Sequence, residues 1–176
     1  MSDQAGGSAA AAVRVRLARH DDPGELADIG AITVQAYQVD GHVSASQEYA
    51  AELADTGRRA RDAELLVAVT GAEQPIGTVT VVRPGTPFAE ISKPDELEFR
   101  MLAVHPAARR TGVAARLVQE VLLRARAEGY RRVVLSSTDR MNPAHRLYTR
   151  LGFQREPDRD WNPNPQVHLL AFALDL

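Results

Sequence analysis

Apolar and charged residues alternate from Val13 to Arg19 (VRVRLAR), the period-two pattern of a half-buried strand. His20-Asp21-Asp22-Pro23 then supplies polar capping residues and a first-turn proline. Leu26, Ile29, Ile32, Thr33 and Ala36 follow at helical spacing. Tyr37 to Ser46 (YQVDGHVSAS) breaks this pattern around Gly41, and a second helix is expected from Gln47 to Arg59. Glu64 to Thr70 reads as a strand, GAEQP as a turn and Ile76 to Val82 as the hairpin partner. Residues 83–94, rich in proline and glycine, read as a loop, and Leu97 to Val104 as the next strand. Ala114, Leu117, Val118, Val121, Leu122 and Ala125 form one apolar helical stripe, which Gly129 closes. Val133 to Ser136 is a short, apolar, buried-type strand. Asn142-Pro143 opens a helix with asparagine at the cap, ending at Gly152. Phe153 to Arg155 and Val167 to Leu174 read as two final strands around a polar loop, 156–166. The expected fold is α/β (α+β): a mixed, mostly antiparallel sheet of about seven strands flanked by about four helices.

The 176 residues suffice for one domain with a sizeable core, placed at 13–176. Residues 1–12 (MSDQAGGSAAAA) lack a basic segment and a leucine-rich segment, so they read as a flexible tail rather than a signal peptide. No apolar run reaches 18 residues, so no membrane span and a cytoplasmic location are expected. Cysteine is absent, which excludes disulfides, thiolate metal sites and a thiol nucleophile. No histidine spacing points to a metal. The net charge of −2 gives no overall pull toward nucleic acid or membrane. The charge is uneven, however: between His105 and Arg150 stand ten arginines and three acids. That excess fits either an arginine-rich solvated surface or a landing area for a polyanionic small molecule.

The junction at residues 104–115 sharpens the second reading. A strand ends at Val104-His105-Pro106, and the striped helix begins within a few residues, behind Arg109, Arg110 and Thr111. The first turn of a helix carries unpaired N–H groups and the positive end of the dipole. Gly112 and Ala114 leave the backbone open to an anion. A tight strand–helix corner that admits only small residues explains the same sequence. GxxxxGK[ST] and GxGxxG are both missing, which disfavours an ordinary kinase or dinucleotide-dependent dehydrogenase.

Arg109-x-x-Gly112-x-Ala114, after Leu102-Ala103-Val104-His105-Pro106, resembles the Arg/Gln-x-x-Gly-x-Gly/Ala signature of the GNAT superfamily of acyl-CoA N-acyltransferases. Asn142-Pro-Ala144-x-x-Leu147-Tyr148-x-x-Leu151-Gly152-Phe153 resembles that superfamily's second motif. The resemblance spans about Val13 to Leu176, and alanine stands at 114 where a second glycine is commoner. It implies that acetyl-CoA is the co-substrate and that no metal is needed. The backbone of Arg110, Thr111, Gly112, Val113, Ala114 and Ala115 would cradle the pyrophosphate, with Arg109 beside it. Leu102, Ala103 and Val104 would pair with the pantetheine, Asn142 and Tyr148 would also contact the co-substrate, and Arg140 or Arg146 would meet the 3′-phosphate.

Acetyl transfer to an amine needs a proton acceptor, donors for an oxyanion and a proton donor for the leaving thiolate. By the resemblance, Tyr148 is the acid, or else a tyrosine that only lines the pocket. Strand alternation puts Glu98, Arg100, Leu102 and Val104 on one face. A mid-sheet carboxylate there is costly unless used or paired. Glu98 is therefore the expected base, or a salt-bridge partner, with Glu96 in reserve. A backbone N–H near Val104 would meet the oxyanion. The acceptor groove would lie between Tyr37, Asp40 and His42 on one side and Asp158, Asp160 and Trp161 on the other. His42 and His145 would be within its reach. A small-molecule primary amine is the expected acceptor. The alternatives are a protein N-terminus or lysine, or a non-catalytic acyl-CoA-binding module. Neither nucleic acid nor membrane is expected as a partner, and the resemblance allows a homodimer through the last strands.

Overall fold

The computed structural model describes residues 12–40 and 47–176, with no side-chain description at Gln47. The expected tail, apart from Ala12, and His42 lie outside the described residues. Eight strands and five α-helices stand among those described. In chain order they are β1 (Arg14–Leu17), α1 (Pro23–Val39), α2 (Gln47–Ala54), α3 (Thr56–Asp62), β2 (Glu64–Val69), β3 (Pro75–Val82) and β4 (Glu96–Val104). Then follow α4 (Val113–Ala127), β5 (Arg132–Thr138), α5 (Asn142–Arg150), β6 (Gln154–Arg155), β7 (Trp161–Asn164) and β8 (Val167–Asp175). All strands join one sheet, ordered β1-β2-β3-β4-β5-β8-β6, with β7 also paired to β8. Neighbours are antiparallel except β4 and β5, which run parallel.

Both faces of the sheet are covered. On one, Leu66, Val79, Leu97 and Phe99 pack with Leu117, Val118 and Val121 of α4 and Tyr148 of α5. On the other, Leu65, Val67 and Val69 pack with Ile29, and Val82, Met101 and Ala103 with Ile32, Ala36 and Leu53. Two-sided burial explains why β2 reads as a continuous apolar run. Each fully buried leucine or valine contributes on the order of 2 kcal/mol.

The structure departs from the sequence expectations at four points. The expected second helix is two, because Asp55 caps a new start by accepting the Arg58 N–H at 2.9 Å. The expected polar loop contains β7, a short edge strand whose proline lies where no ladder hydrogen bond is needed. The cap of α5 is Met141, and Asn142 is already the first helical residue. The fourth departure lies in β4. Met101 has a φ of +54°, and the β3–β4 register shifts between Thr78 and Thr80. One residue of β3 thus faces two of β4, a bulge that reverses the alternation. Glu98 and Arg100 therefore do not share a face with Leu102 and Val104. Leu97, Phe99, Leu102 and Val104 face α4, while Met101 and Ala103 face α1.

Candidate active site

The parallel pairing of β4 and β5 is short. It covers Glu96–Arg132, Leu97–Val133 and Glu98–Val134 and then stops. Beyond it the two strands diverge around a cleft lined by Phe99, Arg100, Met101 and Leu102 from β4, and Leu135, Ser136 and Ser137 from β5. Met141, Ala144 and Tyr148 close it on the α5 side and Tyr37 on the α1 side. The bulge at Met101 sits where the strands part. Ala103 and Val104 therefore keep their β3 partners, Leu102 lies within the bulge, and none of the three has a β5 partner.

Tyr148 is buried against Phe99, Phe153 and Phe172, with ring centroids 5.6 to 6.0 Å away. Burial raises its pKa above the ordinary phenol value, and nearby Tyr37 adds to the rise. Tyr148 is therefore a standing hydrogen-bond donor at neutral pH and does not ionise there.

At the far end of β4 the chain makes a single 3-10 turn at Pro106–Ala108. His105 Nδ1 accepts the Ala107 N–H at 3.2 Å. Arg110 and Gly112 then take left-handed conformations, φ +64° and +85°. Gly112 is the cap of α4 and offers no side-chain acceptor, so the first-turn N–H groups of α4 open to the surface. A Cβ placed on Gly112 would meet nothing within 4 Å. This rules out the packing-corner explanation for Gly112, whose requirement is its backbone conformation. The crowded glycine is Gly77 on β3, where a Cβ would lie 2.8 Å from a Val113 methyl and 3.2 Å from the Ala103 carbonyl.

Arg109 points elsewhere than expected. Its guanidinium holds both Asp40 oxygens, at 2.9 and 3.0 Å, and the Ala36 carbonyl at 3.1 Å. It ties this loop to the end of α1, and Asp40 is thereby engaged. Arg110, Thr111 and Gly112 are exposed, as is Asn142, while Val113 is buried with Ala114 and Ala115 partly so. Arg146 lines an open groove on α5 with Asn142, His145, Thr149 and Arg150.

The two β4 carboxylates are both buried and both engaged. Glu96 takes two bonds from Arg159, at 2.8 and 3.0 Å, and the Lys93 N–H at 2.9 Å. Burial alone would raise its pKa; Arg159, the Lys93 N–H and Arg132 together outweigh this and lower it. Glu98 has no solvent exposure. Its Oε2 accepts the N–H groups of Glu90, Ile91 and Ser92 at 3.0 to 3.2 Å, and its Oε1 has no partner. Glu98 thus pins the loop before β4 and does not line the cleft.

That loop carries groups the sequence reading left aside. Arg100, on the cleft wall, pairs with Glu90 at 2.6 Å, lies 3.9 Å from Glu52 of α2 and donates to the Phe88 carbonyl. No local pattern marks Glu90, which becomes visible only through its ion pair with Arg100. Of the expected acceptor walls, Tyr37 lines the cleft, and Trp161 donates to Ser136 Oγ at 3.1 Å. Asp160 is held by Arg155 and the Ala171 N–H, and Asp158 is exposed. His145 lies 3.1 Å from Ser137 Oγ, with its pKa lowered by burial. Among the described residues no cluster could hold a metal ion, and no helix is long and apolar enough to cross a membrane.

The fold is shared with known proteins. The family model of the Acetyltransferase (GNAT) family matches residues 26–153. No curated protein matches the sequence. Among solved structures, a GNAT-family acetyltransferase from Staphylococcus aureus Mu50 is similar with a TM-score of 0.71 at 10% identity, over 94% of this chain and 99% of that one. An acetyltransferase from Streptococcus agalactiae 2603 gives 0.71 at 16%, over 93% and 98%. A Bacillus subtilis acetyltransferase in complex with CoA gives 0.65 at 16%, over 94% and 99%. At these identities the solved structures establish the fold, and the family match, spanning well over half of the chain, establishes that the protein belongs to the GNAT acetyltransferase family.

Proposed function

We infer that this protein transfers the acetyl group of acetyl-CoA directly to a primary amine on a small molecule. The observation that carries this reading is the cleft opened by the bulged β4, with Tyr148 on its wall, together with the uncrowded start of α4 that follows the same strand. A pyrophosphate fits that start: Val113, Ala114 and Ala115 supply unpaired N–H groups, and Arg110 and Thr111 are exposed beside them. The unpaired edge of Leu102 to Val104 would take the pantetheine amides, and Asn142 at the start of α5 would meet them from the other side. The Bacillus subtilis relative is a complex with CoA, which supports the same co-substrate here.

Acetyl-CoA supplies an activated thioester. The chain supplies orientation, a hydrogen-bond donor in Tyr148 for the leaving sulfur, and a backbone N–H near Val104 for the oxyanion. A compact amine suits the cleft, whose lining includes Tyr37, Met101, Ser137 and Tyr148.

Calorimetry with acetyl-CoA tests the cradle, with dephospho-CoA and ATP run beside it. Micromolar binding of acetyl-CoA is expected, lost in Gly112→Glu. No binding at about 100 micromolar, within the usual range for such co-substrates, overturns the reading. Thiol release with a primary-amine library then tests turnover. Tyr148→Phe is expected to lower it about 100-fold while leaving acetyl-CoA affinity unchanged. Binding without turnover of any amine would favour a non-catalytic acyl-CoA-binding module.

A further inference from the structure

A base at this site must do two things in every cycle: take a proton from the amine, and pass it to water. Glu98 is poorly built for the second. It has no exposed surface, and one of its oxygens is occupied by three backbone N–H groups. Those same bonds fix the backbone of Glu90, whose carboxylate reaches over to Arg100 on the cleft wall. Glu90 is an exposed residue with 21% of its side-chain surface accessible, so it reaches solvent directly, and its 2.6 Å pair with Arg100 connects it to the cleft wall.

We propose that Glu90, not Glu98, accepts the amine proton in this enzyme, and that Glu98 is the positioning residue that holds Glu90 beside Arg100 of the cleft wall. The proposal rests on the acetyltransferase reading above. The groups facing Glu90 come from four elements: Arg100 and Glu98 on β4, Glu52 and Tyr49 on α2, Tyr37 on α1, and Arg58 on α3 through the Phe88 ring beneath Arg100. Arg100 stays satisfied when Glu90 is protonated, because it also donates to the Phe88 carbonyl and lies near Glu52. Burial pushes the Glu90 carboxyl up to about 7; Arg100 opposes the rise, while Glu98 and Glu52 add to it. A base with this value is half-ionised near neutral pH, where proton transfer in both directions is efficient.

The proton balance is simple. An ammonium acceptor has three N–H bonds and the amide product has one. The first proton passes to a Glu90 oxygen, its bonding pair staying on nitrogen, and leaves to water as Glu90 re-ionises. The second ends on the leaving sulfur, so each turnover releases one proton to solvent.

The direct test is a pH titration of the full chain carrying 13C-carboxyl glutamate, followed by NMR, with the Glu90 signal assigned by its absence in Glu90→Gln. A midpoint near pH 7 is expected. A midpoint below pH 5 overturns the proposal, whatever acetyl-CoA does. Turnover is read in parallel with spermidine, tyramine and a lysine peptide. Glu90→Gln should lower turnover about 100-fold, abolish its rise with pH and leave acetyl-CoA affinity intact. Glu98→Gln keeps a carbonyl acceptor for the loop but removes a charge that raises the Glu90 value. Its pH–rate rise should persist at a reduced rate, with the midpoint displaced downward. If the rise vanishes in Glu98→Gln and survives in Glu90→Gln, Glu98 is the base and the proposal fails. Absence of acetyl-CoA binding in the parent protein would instead sink the acetyltransferase reading, a result the titration cannot imitate.

Discussion

Gly112 separates conformation from contact. Its φ of +85° is a left-handed conformation, which an L side chain adopts at about 1–2 kcal/mol. No atom stands where its Cβ would go. Gly112→Ala should therefore lower stability by about 1 kcal/mol in chemical denaturation and leave acetyl-CoA affinity within a few-fold. Gly112→Glu should be no less stable than Gly112→Ala, since a carboxylate at a helix start is favourable. It should nevertheless weaken acetyl-CoA binding at least about tenfold, by placing like charge on the phosphate site. Equal effects of the two variants on binding would mean that backbone strain, and not the anion, sets the affinity. Arg109 is the converse case. It matches the signature in sequence, yet it spends its guanidinium on Asp40 and the Ala36 carbonyl. The pair is about one-third exposed on each side, so Arg109→Gln should change stability by less than about 1 kcal/mol. Acetyl-CoA affinity by calorimetry should move no more than about twofold. A tenfold loss would show that Arg109 leaves Asp40 to reach the phosphate.

Between elements, the critical spacing is that of α4 against β3 and β4. Gly77 lets the first turn of α4 approach β3, with Val113 and Leu117 on the space a Cβ would take. Gly77→Val should cost about 1–3 kcal/mol by overpacking. It should also displace the α4 start and weaken acetyl-CoA binding, although residue 77 lines neither the cleft nor the phosphate site. Calorimetry on this variant at a temperature where it remains folded checks the coupling; unchanged affinity would show that α4 holds its place independently. Such spacing also explains what the sequence made legible. The apolar stripe of α4, the proline-led starts of α1 and α5, and the strand hairpins are local patterns, and they were readable. Gly112 and Tyr148 stand in local motifs, so their candidacy for the site is legible in the same way. The Met101 bulge was not: methionine carries no signal for a positive φ, and only the register against β3 reveals it. One unread residue reversed the facing of the upper half of β4. Glu98 then appeared to share a face with Leu102, and the loop that Glu98 holds, with Glu90 on it, escaped notice. Asp55 and β7 were missed for a related reason, since a helix restart and an edge strand depend on partners distant in sequence.

Across the whole molecule, buried carboxylates give the protein two opposite responses to pH. Glu25 is held by Arg16, and against the pull of burial Arg16 and the Arg19 N–H keep its pKa below the ordinary 4.5. Glu96 is likewise held below that value by Arg159, Lys93 and Arg132. A carboxyl with a lowered folded pKa binds fewer protons folded than unfolded. Its contribution is complete above about pH 4.5 and is lost as pH falls toward the folded value. The melting temperature should therefore drop steeply below pH 4.5. Glu96→Gln should flatten that drop while lowering stability at pH 7 by about 1–3 kcal/mol, because Arg159 loses its charged partner there but keeps Glu156 and the Ile91 carbonyl. Glu90 acts with the other sign. Raised to about 7, it binds more protons in the folded chain between pH 4.5 and 7, so its ionisation destabilises the fold as pH rises through that window. His145, lowered by burial, opposes it over part of the same range, so the parent curve alone does not isolate Glu90. The difference between Glu90→Gln and the parent protein does, because every other group cancels. Well below pH 4.5 both side chains are neutral in the folded and the unfolded chain, and any offset from the altered Arg100 contact is constant. From about pH 4.5 to pH 7 the variant should gain melting temperature relative to the parent, with half the gain midway through that window and little further change above it. A flat difference, or one that falls with rising pH, would place the Glu90 carboxyl in its ordinary acidic range. The cleft would then have to find its proton acceptor elsewhere.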